Sequence, residues 1–264
     1  MSQKIEAVIF DWAGTTVDYG CFAPVEAFRQ AFEEVGIHPA TEEIRRPMGL
    51  SKRLHVQTMF EMPRITALWQ EVHGRPWTDK DADKVYERSE ELILSLLPDY
   101  AGPIPHVLDA VARLRERGIK IGSTTGYNDE MMAIVVPAAG KGGYKPDCWF
   151  SSDSTNKQGR PYPYMIFRAL ETLKVSSVKA AVKVGDTAAD IREGQNAGLI
   201  TIGLLEGSSL MALSEEEYEA LTPEQQQAEI ERVRKAYADC GADYVIRNMS
   251  ELPGLLERIE ATTA

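Results

Sequence analysis

Short runs of consecutive apolar residues alternate with longer amphipathic segments along most of this chain. The first run, Ala-Val-Ile-Phe at residues 7–10, is typical of a parallel strand that is buried on both faces. From about residue 106 onward, helix and strand patterns alternate strictly, and the further predicted strands are residues 119–125, 148–150, 180–184, 199–203 and 244–246. This alternation predicts an α/β fold with a doubly wound parallel sheet.

The segment between the first strand and residue 98 has a different pattern. Amphipathic helices are predicted there with almost no strand signal between them, at residues 24–35, 51–60, 63–72 and 79–97. Residues 98–105 are rich in Pro and Gly and predict a linker that returns the chain to the sheet. We therefore expect a core domain of residues 1–20 and 100–264, with an all-helical cap inserted as residues 21–99.

The helices that connect the predicted core strands are equally regular. They are expected at residues 106–117, 129–139, 164–173 and 188–197, as one long charged helix over 215–238, and at 251–259. In an open α/β sheet, ligands bind at the carboxyl ends of the strands. The residues that directly follow each strand are therefore the main candidates for function.

The composition narrows the class of ligand. The 264 residues carry a net charge of −11, which makes the chain a poor candidate for binding nucleic acid or an anionic membrane. No run of about 18 apolar residues is present, so no membrane-spanning helix is expected. The three cysteines, Cys21, Cys148 and Cys240, are odd in number and widely spaced. That pattern favours reduced thiols and, with an amino terminus unlike a signal peptide, a cytoplasmic location.

Carboxylates follow two of the predicted strands. Asp11 comes directly after the first strand and before a Gly-Thr-Thr turn, whose backbone N–H groups could hold phosphoryl oxygens while the carboxylate attacks phosphorus. Asp186 and Asp190 follow a later strand, four residues apart at the start of a helix. Together the three would form an oxygen-rich site suited to Mg²⁺. The alternatives are an Asp that caps a turn and an aspartate pair that caps the helix.

Two further residues between these carboxylates suit phosphate. Thr125 ends a strand with a hydroxyl group that can bond to a phosphoryl oxygen. Arg160 precedes a predicted helix and offers a fixed positive charge for the same anion.

The order of these motifs resembles the haloacid dehalogenase superfamily. The matching positions are residues 11–15, Thr125, Arg160, and the pair Asp186 and Asp190. The resemblance implies a Rossmann-like core, a C1-type cap that closes over the site, an aspartyl-phosphate intermediate and Mg²⁺. One position departs from the common pattern: Ala13 stands where most phosphatases and mutases of the superfamily carry a second Asp that protonates the leaving group.

The cap contains a candidate replacement for that acid. Lys52 and His55 lie one helical turn apart in the second predicted helix. An amine in a dry pocket or near other cations can be neutral enough to attack a carbonyl carbon. The alternatives are a solvated lysine on the cap surface and a histidine packed inside the cap.

The motif Met48-Gly49-Leu50-x-Lys52-x-x-His55, taken with Ala13, is similar to the phosphonatase family of that superfamily. Residues 11–21, 61–65 and 122–127 match as well. The resemblance implies that Lys52 forms an imine with the aldehyde of phosphonoacetaldehyde and that Asp11 then takes the phosphoryl group. The products would be acetaldehyde and phosphate. The enamine that leaves needs no acid at position 13.

The same resemblance assigns roles to the other candidates. The metal ligands would be Asp11, Asp186 and the backbone carbonyl of Ala13, with Asp190 orienting groups around them. Substrate would contact Thr125, Arg160, Gly49, Met48, Tyr127 and Cys21. His55 would transfer protons during imine formation, and Cys21 could equally be a small buried apolar residue.

The resemblance also implies a homodimer formed through the cap. The apolar residues that could pair two caps are Val25, Phe28, Ala31, Phe32, Trp69 and Trp77, and their alternative role is the cap's own core. Two other functions stay open: a phosphatase or phosphomutase that acts on phosphate esters, and a catalytically silent member. Ala13 argues against the first, because an alkoxide leaving group needs a proton. The complete set of charged site residues argues against the second.

Overall fold

A computed structural model describes residues 4–262 of the chain. Within them, six parallel strands form one sheet in the order β3-β2-β1-β4-β5-β6. The strands are β1 (Ala7–Phe10), β2 (Lys120–Thr124), β3 (Cys148–Phe150), β4 (Ala181–Gly185), β5 (Ile200–Leu204) and β6 (Tyr244–Ile246). The predicted α/β fold with a doubly wound parallel sheet is confirmed.

The two central strands determine where the site lies. β1 and β4 are buried along their whole length and pair in parallel, with Phe10 opposite Val184. β2 pairs with the other edge of β1, with Phe10 opposite Ser123. The chain segments that leave these three strands therefore emerge side by side at one edge of the sheet.

Five helices lie between β1 and the rest of the sheet. They are α1 (Phe22–Glu33), α2 (Thr41–Arg45), α3 (Lys52–Phe60), α4 (Pro63–His73) and α5 (Asp79–Tyr100). Their apolar faces form a common core in which the ring of Phe60 lies 5.0 Å from that of Phe32 and 5.1 Å from that of Trp69. The domain limits at residues 20 and 100 stay a prediction, although the change from strand to helix falls close to them.

Most of the apolar cap residues considered for a dimer contact are buried within the chain itself. Val25, Phe28, Ala31, Phe32 and Trp69 are each at most 3% exposed, and Trp77 packs half-buried against the same core. These side chains therefore serve the cap's own core. The homodimer stays a prediction, and it needs a different surface.

Two predicted boundaries are wrong. Helix α5 continues through Pro98 to Tyr100, because burial of Ile93 and Leu97 extends its apolar face into the last turn. The predicted helix 215–238 is two helices, α10 (Glu215–Glu219) and α11 (Pro223–Asp239). Thr222 caps α11 by accepting a hydrogen bond from Gln225 N, and Pro223 is well placed in a first helical turn but not inside a continuous helix.

The remaining helices cover the two faces of the sheet. They are α6 (Val107–Glu116), α7 (Asp129–Lys141), α8 (Tyr164–Leu173), α9 (Ala188–Ala197) and α12 (Leu252–Thr262). None of the helices between residues 4 and 262 combines the length and the apolar character that a membrane span requires. The short helix α2 had no clear signal in the sequence.

Candidate active site

Three aspartates meet where β1 and β4 end. Asp11 follows β1, Asp186 follows β4, and Asp190 lies in the first turn of α9. One carboxylate oxygen from each lies within 4.8 Å of the others, and all three side chains are buried. The pairing of β1 with β4 brings together residues that are 175 positions apart in the chain.

The three carboxylates differ in their partners. Arg160 contacts Asp11 at 2.7 Å and Asp190 at 3.0 Å. Asp186 accepts hydrogen bonds from the Thr15 hydroxyl at 3.2 Å and from Ser209 N at 2.9 Å. Among residues 4–262, no Lys or Arg side chain forms an ion pair with Asp186. Burial, reinforced by Asp11 and Asp190, raises the pKa of Asp186 well above its usual value.

This arrangement fits a divalent metal ion. The donors are hard carboxylate oxygens, and Asp186 is a buried carboxylate that has no Lys or Arg partner among residues 4–262. Gly14, in the turn after Asp11, adopts a positive φ of 81°, and a Cβ there would lie 2.2 Å from Asp186 Oδ2. The turn is therefore pressed against Asp186, and Ala13, whose carbonyl is a predicted ligand, lies in the same turn.

Asp190 caps α9 with one carboxylate oxygen and contacts two cations with the other. Its Oδ2 accepts hydrogen bonds from the hydroxyl and the backbone N–H of Thr187 at 2.5 and 3.2 Å, which caps α9. Its Oδ1 lies 2.9 Å from Lys183 Nζ and 3.0 Å from Arg160. Although burial opposes them, these two cations lower the pKa of Asp190.

Lys183 and Glu193 were missed by the sequence analysis. Lys183 lies in β4 and Glu193 in α9, and both side chains are fully buried. The signal was present: a lysine inside a doubly buried strand requires an acidic partner. Glu193 follows Asp190 by three positions and therefore lies on the same face of α9.

Thr125 is positioned to donate a hydrogen bond. It is 2% exposed, and its Oγ1 accepts a hydrogen bond from Tyr127 N at 3.0 Å. The hydroxyl hydrogen is then left for another acceptor, as a phosphoryl oxygen would require.

The Lys52 amine is buried where the cap meets the core. The residue is 7% exposed, and Nζ lies 4.7 Å from the ring centroid of Tyr127 and 5.7 Å from that of Phe28. Burial lowers the pKa of Lys52; the positive charge of Arg160 adds to this shift, and the negative charge of Asp11 opposes it. Lys52 is therefore not a solvated lysine on the cap surface.

His55 lies one turn further along α3. Its ring is fully buried and stacks on Phe28, with centroids 4.0 Å apart. Neither ring nitrogen makes a hydrogen bond of normal geometry with another described residue. Burial, with the charge of Lys52 in addition, lowers the pKa of His55 well below its usual value. The imidazole is therefore neutral near pH 7.

The loop before α3 lies directly on the core. A Cβ on Gly49, which has a φ of 84°, would lie 2.3 Å from Thr187 Oγ1. A Cβ on Gly126 would lie 2.8 Å from Leu50 O, and Arg160 Nη1 donates to Gly49 O at 3.3 Å. These contacts show the cap closed, with one guanidinium group touching both Asp11 and the cap loop.

The other residues predicted to contact substrate are also buried near this loop. Met48 is 4% and Tyr127 3% exposed, and the Tyr127 hydroxyl has no hydrogen-bond partner among the described residues. Cys21 packs against the turn, because a Cβ on Gly14 would lie 3.3 Å from Cys21 Cβ. Burial and the charge of Asp18 raise the pKa of Cys21 well above its usual value, so its thiol is neutral.

Arg45 is another residue that the sequence analysis missed. From α2 in the cap it donates hydrogen bonds to Gly20 O at 2.7 Å and to Ser209 O at 3.2 Å. Ser209 is the residue whose N–H binds Asp186. Through Arg45, the cap therefore contacts a residue that itself binds the carboxylate cluster.

Comparison with known proteins agrees with this architecture. The model of the haloacid dehalogenase-like hydrolase family matches residues 5–198, and a second model, HAD-hydrolase-like, matches residues 158–251. A beta-phosphoglucomutase structure from Clostridium difficile covers 98% of the chain with a TM-score of 0.68 at 16% identity, which shows the shared fold. The chain belongs to the haloacid dehalogenase-like hydrolases.

The relatives with greater similarity define a narrower group. The chain is 48% identical to a phosphonoacetaldehyde hydrolase from Lysinibacillus sphaericus, with 99% of this chain and 97% of that protein covered. It is 50% identical to one from Bacillus cytotoxicus, with 98% and 97% covered. The crystal structure of a phosphonoacetaldehyde hydrolase-like protein from Oleispira antarctica matches with a TM-score of 0.96 and 32% identity, covering 100% of this chain and 95% of that one. Within the hydrolases, the chain thus belongs to the phosphonoacetaldehyde hydrolase family.

Proposed function

We propose that this chain hydrolyses the P–C bond of phosphonoacetaldehyde to acetaldehyde and phosphate, by way of an imine on Lys52 and a phosphoryl group on Asp11. The observation that carries the proposal is the burial of the Lys52 amine beside Tyr127 where the cap meets the core. Arg160 contacts both Asp11 and the loop that leads into the helix of Lys52. The relatives at 48–50% identity are named for this reaction.

The first half of the reaction belongs to the cap. A neutral Lys52 amine attacks the aldehyde carbon, and loss of water gives the imine. The neutral His55 ring, one turn away, accepts and returns the protons that this step moves. The phenol of Tyr127, whose pKa burial raises well above its usual value, stays protonated beside the same amine.

The second half belongs to the core. The Asp11 carboxylate forms a bond to phosphorus while the electrons of the P–C bond move into the imine, which is protonated on nitrogen and so becomes a neutral enamine. That leaving group needs no proton, which explains how Ala13 can replace an acid. Thr125 and Arg160 bind the phosphoryl oxygens, and Arg160 is held in place by its contact with Asp11.

Two hydrolyses complete the cycle. Water attacks the aspartyl phosphate and releases phosphate, which restores Asp11. The enamine takes up a proton to form an imine, and water then releases acetaldehyde and restores Lys52.

A divalent metal ion held by the carboxylates would supply positive charge in the core half of the reaction. We propose Mg²⁺ held by Asp11, Asp186 and the Ala13 carbonyl, where it would neutralise charge on the phosphoryl group. Asp190 then keeps Arg160 and Lys183 in place beside these ligands.

The test is phosphate release combined with chemical trapping. Wild-type protein with Mg²⁺ should release phosphate from phosphonoacetaldehyde. Borohydride added with the substrate should inactivate the protein and increase the mass of the peptide that contains Lys52. A phosphatase acting on esters would release phosphate from esters without the adduct, and a silent protein would release none. Either result would refute the proposal.

A further inference from the structure

A buried charge network lies beneath Asp11, and Glu193 is at its centre. Glu193 Oε2 accepts hydrogen bonds from Arg160 Nε and from the Thr124 hydroxyl, both at 2.9 Å. It also lies 3.3 Å from Lys183 Nζ. All of these side chains are buried, so their mutual charges are poorly screened by water.

Thr124 locks the geometry of this network. Because its hydroxyl donates to Glu193, its oxygen is left to accept from Lys183 at 2.9 Å and from Arg160 Nη2 at 3.1 Å. One donor and two acceptor positions are the full capacity of a hydroxyl group. The Thr124 hydroxyl therefore links Glu193 to Lys183 and Arg160, and these three hydrogen bonds use its full capacity.

Glu193 also determines which acceptor each nitrogen of Arg160 faces. Its carboxylate takes the Nε–H, and Nη2 then points to Asp11 Oδ1 at 2.7 Å. Nη1 reaches Gly49 O in the cap loop. A guanidinium group is planar, so fixing Nε fixes the direction of both terminal nitrogens.

We infer that Glu193 is a positioning residue, which holds the Arg160 guanidinium in the orientation that phosphoryl transfer to Asp11 requires. It does not touch the reacting atoms, and it acts only in the core half of the reaction. The inference rests on the proposed function and adds to it a residue that separates the two halves experimentally.

The neutral isostere Glu193→Gln tests this separation. Without the negative charge, the hydrogen bond that anchors Arg160 Nε is weakened, and the guanidinium is drawn towards the remaining carboxylates, Asp11 and Asp190. Misplacing a group that orients a reaction costs about 100-fold in rate. We expect phosphate release in a single turnover to fall by about that factor. With substrate at a saturating concentration, so that weaker binding of the phosphonate by Arg160 is offset, borohydride trapping at Lys52 should stay at the wild-type level, because the imine forms on an amine of the cap.

Glu206→Gln is the matched control. Glu206 is a largely buried glutamate outside the site that accepts hydrogen bonds from Tyr218 and Asn248 at 2.9 and 2.8 Å and pairs with Arg247. We expect this variant to keep both trapping and phosphate release. If Glu206→Gln lost phosphate release to the same extent as Glu193→Gln, the loss in both variants would reflect reduced stability. The inference would then be wrong.

Other outcomes are also decisive. Phosphate release by Glu193→Gln close to that of the wild type would overturn the inference, as would equal loss of trapping and release in a folded protein. If Glu193→Gln does not fold, Thr124→Val, which removes only the bridging hydroxyl, must show the same split. Failure of the proposed function is separate, because the wild type itself would then release no phosphate. In that case a crystal structure of Glu193→Gln with Arg160 still directed at Asp11 would refute the positioning role.

Discussion

At the scale of single residues, the proposed reaction depends on two side chains whose environments oppose their ordinary charge. Lys52 is buried, and burial favours its neutral amine. Within the part of the chain that the structure describes, no Lys or Arg side chain pairs with the buried carboxylate of Asp186, which favours a metal ion. Each feature gives a substitution with a specific expected result.

Lys52→Arg keeps a positive charge but removes the nucleophile, because guanidinium stays protonated near neutral pH. We expect turnover to fall by several powers of ten, corresponding to several kcal/mol of barrier, and the borohydride adduct to disappear. Phosphate release and peptide mass are the measurements. Turnover close to that of the wild type would mean that Lys52 only attracts the anionic substrate.

Asp186→Asn should remove a metal ligand while preserving shape. We expect Mg²⁺ binding, measured by calorimetry, to weaken by at least about tenfold, and phosphate release to fall with it. Circular dichroism should show a folded protein. Unchanged Mg²⁺ affinity would remove Asp186 from the proposed ligands. Full wild-type activity in excess EDTA, with metal content checked, would remove the metal from the mechanism.

At the scale of elements, the start of α1 depends on a buried carboxylate. Asp18 accepts hydrogen bonds from Phe22 N at 2.9 Å and Ala23 N at 3.2 Å, which caps the first helix of the cap. Burial raises the pKa of Asp18 to about 7. The junction between cap and core is therefore sensitive to pH.

Asp18→Asn should reveal this sensitivity. Since the pKa of Asp18 is higher in the folded than in the unfolded chain, its protonated form stabilises the fold, and that contribution is lost as pH rises from about 4 to above 7. The free energy of unfolding of the variant, taken relative to that of the wild type, should therefore be lower at pH 5 than at pH 8. Urea unfolding of both proteins at the two pH values measures this. A difference that is independent of pH would contradict the shift.

At the scale of the whole molecule, the cap closes because backbone can approach backbone. Gly126 in the core faces the carbonyl groups of Gly49 and Leu50 in the cap, and no side chain fits between them. The amine of Lys52 and the carboxylate of Asp11 come from different parts of the fold, so this approach completes the site.

Gly126→Ala should hold the cap open. We expect lower kcat/KM and a larger radius of gyration by small-angle X-ray scattering. Gly102→Ala is the control, because a Cβ there meets nothing within 4 Å, and it should change neither quantity. Equal behaviour of the two variants would show that close approach at Gly126 is not required.

The predicted homodimer is also a property of the whole molecule. Light scattering should give a mass close to twice the 29.3 kDa of the chain. A mass equal to that of one chain at the concentration used for activity assays would contradict the homodimer. It would not affect the proposed chemistry of a single chain.

The sequence by itself determined the α/β fold and the order of its motifs, because hydrophobic periodicity and the residues after each strand are local properties. It singled out Asp11, Asp186 and Lys52 as candidates for chemistry. Only the tertiary structure decided which charges meet. It pairs β1 with β4, places Glu193 and Lys183 under Arg160, and brings Arg45 from the cap to Ser209. These contacts join residues far apart in the chain, and a buried charge selects its partner by distance in space, which no spacing along the sequence records.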